Sequence, residues 1–267
     1  LRGLMEMKVT CRALAADVHS GLWGNMVPDV STALMTLVAR LVDDNGRLKL
    51  GLVEVDAARK ASGALVPLTD EIIRDGAHIV EGVSPLPIGD RSAAEWMWWQ
   101  PALTVVATTL PVPSKKKNAL RDEASATLSV RVAPDQAPED LYAILETELL
   151  RNPPGGVLVS IESLGSHGPG WLYTPKGPAF AAADRAYERS WGHKLVQVGV
   201  GGSIPFVALF GRRFGDLPLI LNGVMDPLTT AHGPNESMHL GIFAKAVLAN
   251  VYLLDELGAL GKKGLQA

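Results

Sequence analysis

The sequence has a single cysteine, Cys11, in 267 residues. One thiol excludes an intrachain disulfide framework and suits a reducing compartment, so a cytoplasmic location is the expectation. Long apolar runs are also missing. None approaches the ~18 residues a membrane span needs. Charge is balanced: a net charge of −3 supplies no basic face for nucleic acid or an anionic membrane, and neither is expected as a partner. Leu1-Arg-Gly-Leu4 lacks the basic and apolar regions of a signal peptide. It also lacks an initiating Met, and the residues after it already read as a strand, so the natural protein is expected to begin upstream. There is no His-Glu-x-x-His, no His-x-Asp and no cysteine pair. Catalytic zinc takes about three protein ligands, so this chain is not expected to assemble a metal site alone.

What is present is enough apolar residue for a real core: 47% hydrophobic against 20% charged. Alternation over residues 4–15 predicts a half-buried strand. Pro28-Asp29 opens a helix to about Leu41, with Leu34, Leu37, Val38 and Leu41 on one stripe. Strands are predicted over 102–110, 124–132 and 157–163, and a helix with Leu141, Ile144, Leu145 and Leu149 starts at Pro138. With an insertion at about 44–101 set aside, residues 1–168 read strand, helix, strand, strand, helix, strand. That is the βαββαβ order of a ferredoxin-like α+β domain with an antiparallel sheet. Inside the insertion, Leu48 to Val53 is a candidate short strand and Thr69 caps a helix to about Glu81. Trp96, Trp98 and Trp99 read as core or subunit interface. Gly165 to Gly170 reads as a linker.

Residues 169–267 read as helix 178–191, strand 194–198, a glycine turn, helix 206–214, strand 217–221, a polar loop and helix 238–257. Two strands are too few for a self-sufficient α/β domain, so this part is expected to be an incomplete α/β segment. The polar loop, Asn222 to Ser237, holds Asp226, His232, Asn235 and Glu236. Loops after strands in α/β layers bind ligands, and the alternative is a turn with ordinary cap residues. Gly201-Gly202-Ser203 opens a helix, where free N–H groups suit a carboxylate. It equally fits a plain N-cap. Ser203, Asp226 and His232 also follow the chain order of an α/β-hydrolase triad, but Pro205 stands where the nucleophile elbow needs glycine. Arg131, near the end of a strand, suits a two-bond carboxylate contact.

Together the motifs Asp17-Val-His-Ser-Gly-Leu-Trp-Gly24, Asn118-Ala-Leu120, Leu128-Ser-Val-Arg-Val-Ala-Pro134, Gly201-Gly-Ser-Ile-Pro205 and Ala231-His-Gly-Pro-Asn-Glu236 resemble the M20 metallopeptidases, in their dipeptidase and carnosinase-like branch. The resemblance implies a lid and dimerisation domain over 1–168 and the C-terminal part of a zinc-peptidase catalytic domain over 169–267. It implies a homodimer through the lid, a dipeptide substrate and two zinc ions per active site. His19 resembles the lid histidine that polarises the scissile carbonyl in the partner subunit's site. Arg131 resembles the clamp on the substrate carboxylate, with Asn118, Gly202 and Ser203 as further substrate contacts. His232 resembles a metal ligand, and Glu236 a residue that orients its loop. The family's remaining metal ligands and its glutamate base lie upstream of the lid, so the isolated chain is expected to be inactive. The competing readings are a non-catalytic dimerisation or ligand-binding module, and a serine hydrolase using Ser203.

Overall fold

The computed structural model describes residues 1–165, 168–215 and 217–264. The elements are, in chain order, β1 (Gly3–Arg12), β2 (Val18–His19), α1 (Ser20–Trp23), α2 (Val30–Ala39), α3 (Ala57–Ala64), α4 (Asp70–Gly76), a π-helical turn (Glu95–Trp99), β3 (Ala102–Thr108), β4 (Ala119–Leu120), β5 (Glu123–Val132), α5 (Pro138–Leu150), β6 (Leu158–Ser163), α6 (Pro178–Trp191), α7 (Pro205–Phe214) and α8 (Leu240–Gly264). Two compact units result. The first comprises 1–56, 95–172 and 199–208, and the second 57–94, 173–198 and 209–267.

The first unit is built on a four-stranded antiparallel sheet in the order β3-β5-β1-β6. Period-two alternation puts Met5, Met7, Val9 and Cys11 of β1 on the same buried face as Ala124, Ala126, Leu128, Val130 and Val132 of β5. α2 and α5 share that core through Val30, Ala33, Leu34 and Leu37, and through Leu141, Leu145 and Leu149. Ile144 falls outside the stripe and is exposed. α2 starts where it does because Asp29 accepts from the Ser31 N–H at 3.0 Å and the Thr32 hydroxyl at 2.7 Å. α5 starts at Pro138, whose missing N–H costs nothing in the first turn. Trp98 and Trp99 are buried and meet edge to face, 5.5 Å apart.

The second unit packs α6 on α8 through Ala182, Ala183, Ala186 and Leu253. The alanine stripe lets the helix backbones approach closely. Arg185 bonds Glu256 at 2.7 Å, and Arg189 lies 3.9 Å over the Tyr252 ring. Thr69 caps α4 by accepting from the Ile72 N–H, but the helix ends at Gly76 rather than near Glu81.

Several expectations need correction. Segments 194–198 and 217–221 form no strand. A strand exists through a ladder partner, and neither segment has one among the described residues. Leu195 and Ile220 instead pack onto the α6–α8 core. Leu48 makes one isolated bridge, to Val42, and no strand follows. The Gly165–Gly170 stretch is not a free linker: Leu4 and Gly168 exchange two main-chain bonds of 2.8 Å. Ser166 and His167 of that stretch lie outside the described residues. The two compact units do not follow chain order. The excursion 57–94 belongs with the second unit, where Ser62 donates to the Gln197 carbonyl. Residues 199–208 belong with the first, fastened by Arg2 and Arg131.

Candidate functional site

The first unit brings two of the named residues together across a long sequence separation. Arg131 Nη1 donates to Ser203 Oγ at 2.9 Å, and the Ser203 hydroxyl donates to the Gly3 carbonyl at 3.0 Å. Arg131 lies on the half-buried face of β5, opposite Leu4. Ser203 sits two residues before α7, behind Gly201 and Gly202. No carboxylate among the described residues pairs with Arg131. A guanidinium held only by a neutral hydroxyl keeps donors free for an anion.

The triad reading of Ser203 does not fit this arrangement. A nucleophilic serine gives its proton to an imidazole base. Here the proton goes to a main-chain carbonyl and a cation occupies the oxygen. Asp226 is equally committed, accepting from the Leu228 N–H at 2.7 Å.

A second pair forms at the other end of the sheet. Past Arg12, the Ala13 N–H bonds the Asp122 carbonyl, and the two-stranded ladder β2–β4 then sets His19 opposite Ala119. Asn118 is the adjoining residue, and its carbonyl accepts from the Ser20 N–H at 3.0 Å. His19 is exposed and caps α1, its Nδ1 accepting from the Gly21 N–H at 3.1 Å. With Nδ1 accepting that bond, Nε2 is the ring nitrogen left to donate. Leu22, Trp23 and Met26 beside it are all exposed apolar side chains. Arg131 pairs with Leu4 and Glu123 with Arg12, so the length of β1 between Leu4 and Arg12, roughly 26 Å, separates the two ends. One dipeptide cannot span that distance.

In the second unit, the loop 222–237 is tightly folded. Thr230, His232 and Asn235 all take positive φ, of 53°, 65° and 60°. Asn and His enter that region more readily than most side chains, but a β-branched threonine holds it only where the surroundings impose it. Here Thr229 is buried, its hydroxyl accepts from the Asp226 N–H, and its carbonyl accepts from the Ser237 N–H. Glu236 Oε2 accepts from the His232 main-chain N–H at 3.3 Å. The His232 imidazole is exposed. His78, for which the sequence offers no partner, lies 3.5 Å from the Thr230 hydroxyl.

Among the described residues no group of three His, Cys, Asp or Glu side chains converges as metal ligands would. The residues present therefore do not fit a metal pair on their own. No helix among the described residues is long and apolar enough to cross a membrane.

Arg2 and Gln100 belong to no motif in the sequence, yet both bear on this site. The Arg2 guanidinium donates to the carbonyls of Gly201 at 2.8 Å and Gln100 at 3.2 Å. Burial, with Arg131 nearby as the lesser cause, pushes its pKa down to about 10. The contacts to Gly201 and Gln100 span nearly 200 and 100 residues, and no local pattern announces them.

Residues 1–156 match the peptidase dimerisation domain of the M20 family. Over 89% of its length the chain is 30% identical to a cysteinylglycine-S-conjugate dipeptidase of Corynebacterium striatum, covering 51% of that protein. It is 23% identical over 97% of its length to a Cys-Gly metallodipeptidase of Schizosaccharomyces pombe, covering 55% of it. The chain thus spans about half the length of these curated relatives. Its fold is similar to that of a dipeptidase from Saccharomyces cerevisiae, with a TM-score of 0.78 at 20% identity over 96% of this chain and 54% of that one. It is also similar to human carnosine dipeptidase 1, with a TM-score of 0.70 at 17% identity over 96% and 55%. On the match to more than half of its residues, the chain belongs to the M20 peptidase family and carries that family's dimerisation domain.

Proposed function

We propose that this chain is the substrate-holding part of a metal-dependent M20 dipeptidase. In this reading residues 1–168 form a ferredoxin-like lid, and residues 169–267 the C-terminal part of an α/β catalytic domain. The observation that carries the reading is the Arg131–Ser203 pair, a cation without an acid partner beside a glycine turn. Arg131 takes the substrate's C-terminal carboxylate through two parallel bonds, and the Gly202–Ser203 turn adds donors. His19, through Nε2, donates to the scissile carbonyl oxygen, and Asn118 assists from the adjoining residue.

The roughly 26 Å between the two ends of the sheet supports a homodimer. β3 is an edge strand without a charged residue, and it exposes Val105 and Val106. Unpaired, uncharged edges invite a second strand. Two β3 edges paired antiparallel about a two-fold axis set the His19 end of one sheet beside the Arg131 end of the other. Leu22, Trp23 and Met26 then have a partner surface to cover them.

The relatives' names include metallodipeptidases, and zinc, two ions per site, is the metal proposed for the whole enzyme. His232 offers one donor, on a loop braced by Glu236. The other ligands and the general base are not supplied by the described residues, so no chemical step is assigned to the chain alone. The second unit exposes Leu209, Phe210, Phe214, Leu240, Phe243 and Val251, as a layer lacking its covering layer would.

NMR titration of the ¹⁵N-labelled chain with Cys-Gly and with its C-terminal amide tests the clamp. The acid should shift Gly202 and Ser203 and the amide should not. Arg131→Met should weaken acid binding at least tenfold, the scale of one charge-assisted bond. Equal responses to acid and amide would rule out the clamp.

A further inference from the structure

Arg2 occupies an unusual position for a cation. It lies at the mouth of β1, largely desolvated, and no carboxylate pairs with it among the described residues. Its Nε and Nη1 are spent on the Gly201 and Gln100 carbonyls, while its own main-chain N–H reaches the Val200 carbonyl at 3.3 Å. The next residue, Gly3, receives the Ser203 hydroxyl. Arg2, just before β1, and Gly3, its first residue, therefore hold both ends of the Gly201–Ser203 turn, one by side chain and one by main chain.

The turn is pressed against this support. A Cβ at Gly201 would lie 2.7 Å from the Met97 carbonyl oxygen and 2.8 Å from Arg2 Nη2, so only glycine lets the guanidinium approach. Behind Arg2 stands Gln100, fully buried. Its side chain makes a two-bond pairing with the main chain of Val53, 2.8 Å through Nε2 and 3.0 Å through Oε1. That pairing leaves the Gln100 carbonyl aimed at Arg2. Val53, Gln100, Arg2 and Gly201 form one continuous hydrogen-bonded chain.

We infer that Arg2, aimed by Gln100, is a positioning residue for the Arg131–Ser203 clamp, acting through the Gly201 carbonyl. It does not touch the ligand. It fixes the turn so that the Ser203 oxygen meets Arg131 and the clamp is set before a carboxylate arrives, which spares binding the cost of ordering it. The depressed pKa of Arg2 agrees with a cation placed for geometry at the expense of its hydration. The inference rests on the clamp reading above.

A double-mutant cycle on the full chain tests it, with Arg2→Lys, Ser203→Ala and the double variant titrated with Cys-Gly and its C-terminal amide. Each single variant should lose about five- to tenfold in affinity for the acid. The double variant should lose no more than the worse single, because Arg2 acts through Ser203. Wild-type affinity in Arg2→Lys, or losses that multiply in the double variant, would overturn the inference and leave the clamp standing. A wild-type chain that does not tell acid from amide would overturn both. The wild type also supplies a readout that does not depend on Arg2→Lys folding. The Arg2 Nε–H resonance should exchange slowly with solvent both before and after the acid binds, because its bond to the Gly201 carbonyl is already made. An Nε–H that exchanges as fast as an exposed guanidinium would overturn the inference.

Discussion

Gly201→Ala is the sharpest perturbation of the proposed site, because its cost is fixed by two neighbours that cannot retreat. The added methyl would sit 2.7 Å from a main-chain oxygen, that of Met97, and 2.8 Å from Arg2 Nη2. The Met97 carbonyl belongs to the helical turn Glu95–Trp99, and the guanidinium is tethered at Nε and Nη1. Relief requires moving the turn, which gives up the 2.8 Å bond from Arg2 to Gly201. Overpacking costs about 1–3 kcal/mol, and a bond to a charged group is worth about 1.5–3 kcal/mol. A destabilisation on the order of 3 kcal/mol follows. At about 2–4 °C per kcal/mol for a unit of this size, the thermal midpoint of the first unit should fall by roughly 6–12 °C. Gly202→Ala is the control. Its Cβ would meet only Val200 Cγ1, at 3.8 Å, so its midpoint should stay within about 1–2 °C of wild type. Differential scanning calorimetry of both variants decides the matter. Equal midpoints for Gly201→Ala and Gly202→Ala would refute the packing described for the turn.

Two further outcomes follow from the first unit. Burial pushes the Cys11 thiol from its ordinary 9.0 up to about 11, so the contribution of its burial to stability is complete below about pH 9 and is lost as the pH rises through 11. At pH 8 iodoacetamide should leave Cys11 unmodified in the folded chain and label it in urea, and rapid labelling of the folded chain would contradict its placement in the core. Val106 is 53% exposed on the β3 edge. Light scattering should report a dimer of the 28.4 kDa chain, and Val106→Lys should convert it to monomer, whereas an unaltered dimer would place the interface elsewhere.

The sheet and its helices were legible in the sequence because their signals are local. Alternation in β1 and β5 needs only neighbouring residues, and Asp29, Thr69, Pro138 and Pro178 mark helix starts on their own. The segments 194–198 and 217–221 have strand composition, but a ladder needs a second chain segment, and none lies beside them among the described residues. The site divides in the same way. Motifs named Arg131, Ser203, His19 and Asn118 one at a time. Their arrangement as two pairs at opposite ends of one sheet came only from register. Arg2 and Gln100 were invisible because their roles depend on carbonyls 199 and 98 residues away. The excursion 57–94 carries no sequence signal for grouping with the second unit.

As proposed, the chain would hold a dipeptide's carboxylate and leave cleavage of the peptide bond to groups outside it. Hydrolysis of Cys-Gly by the purified 267-residue chain with added zinc measures this directly. No turnover above that of zinc alone is expected, and turnover should return when a segment carrying the family's remaining ligands is supplied in trans. Vigorous, chelator-sensitive hydrolysis by the chain alone would contradict it.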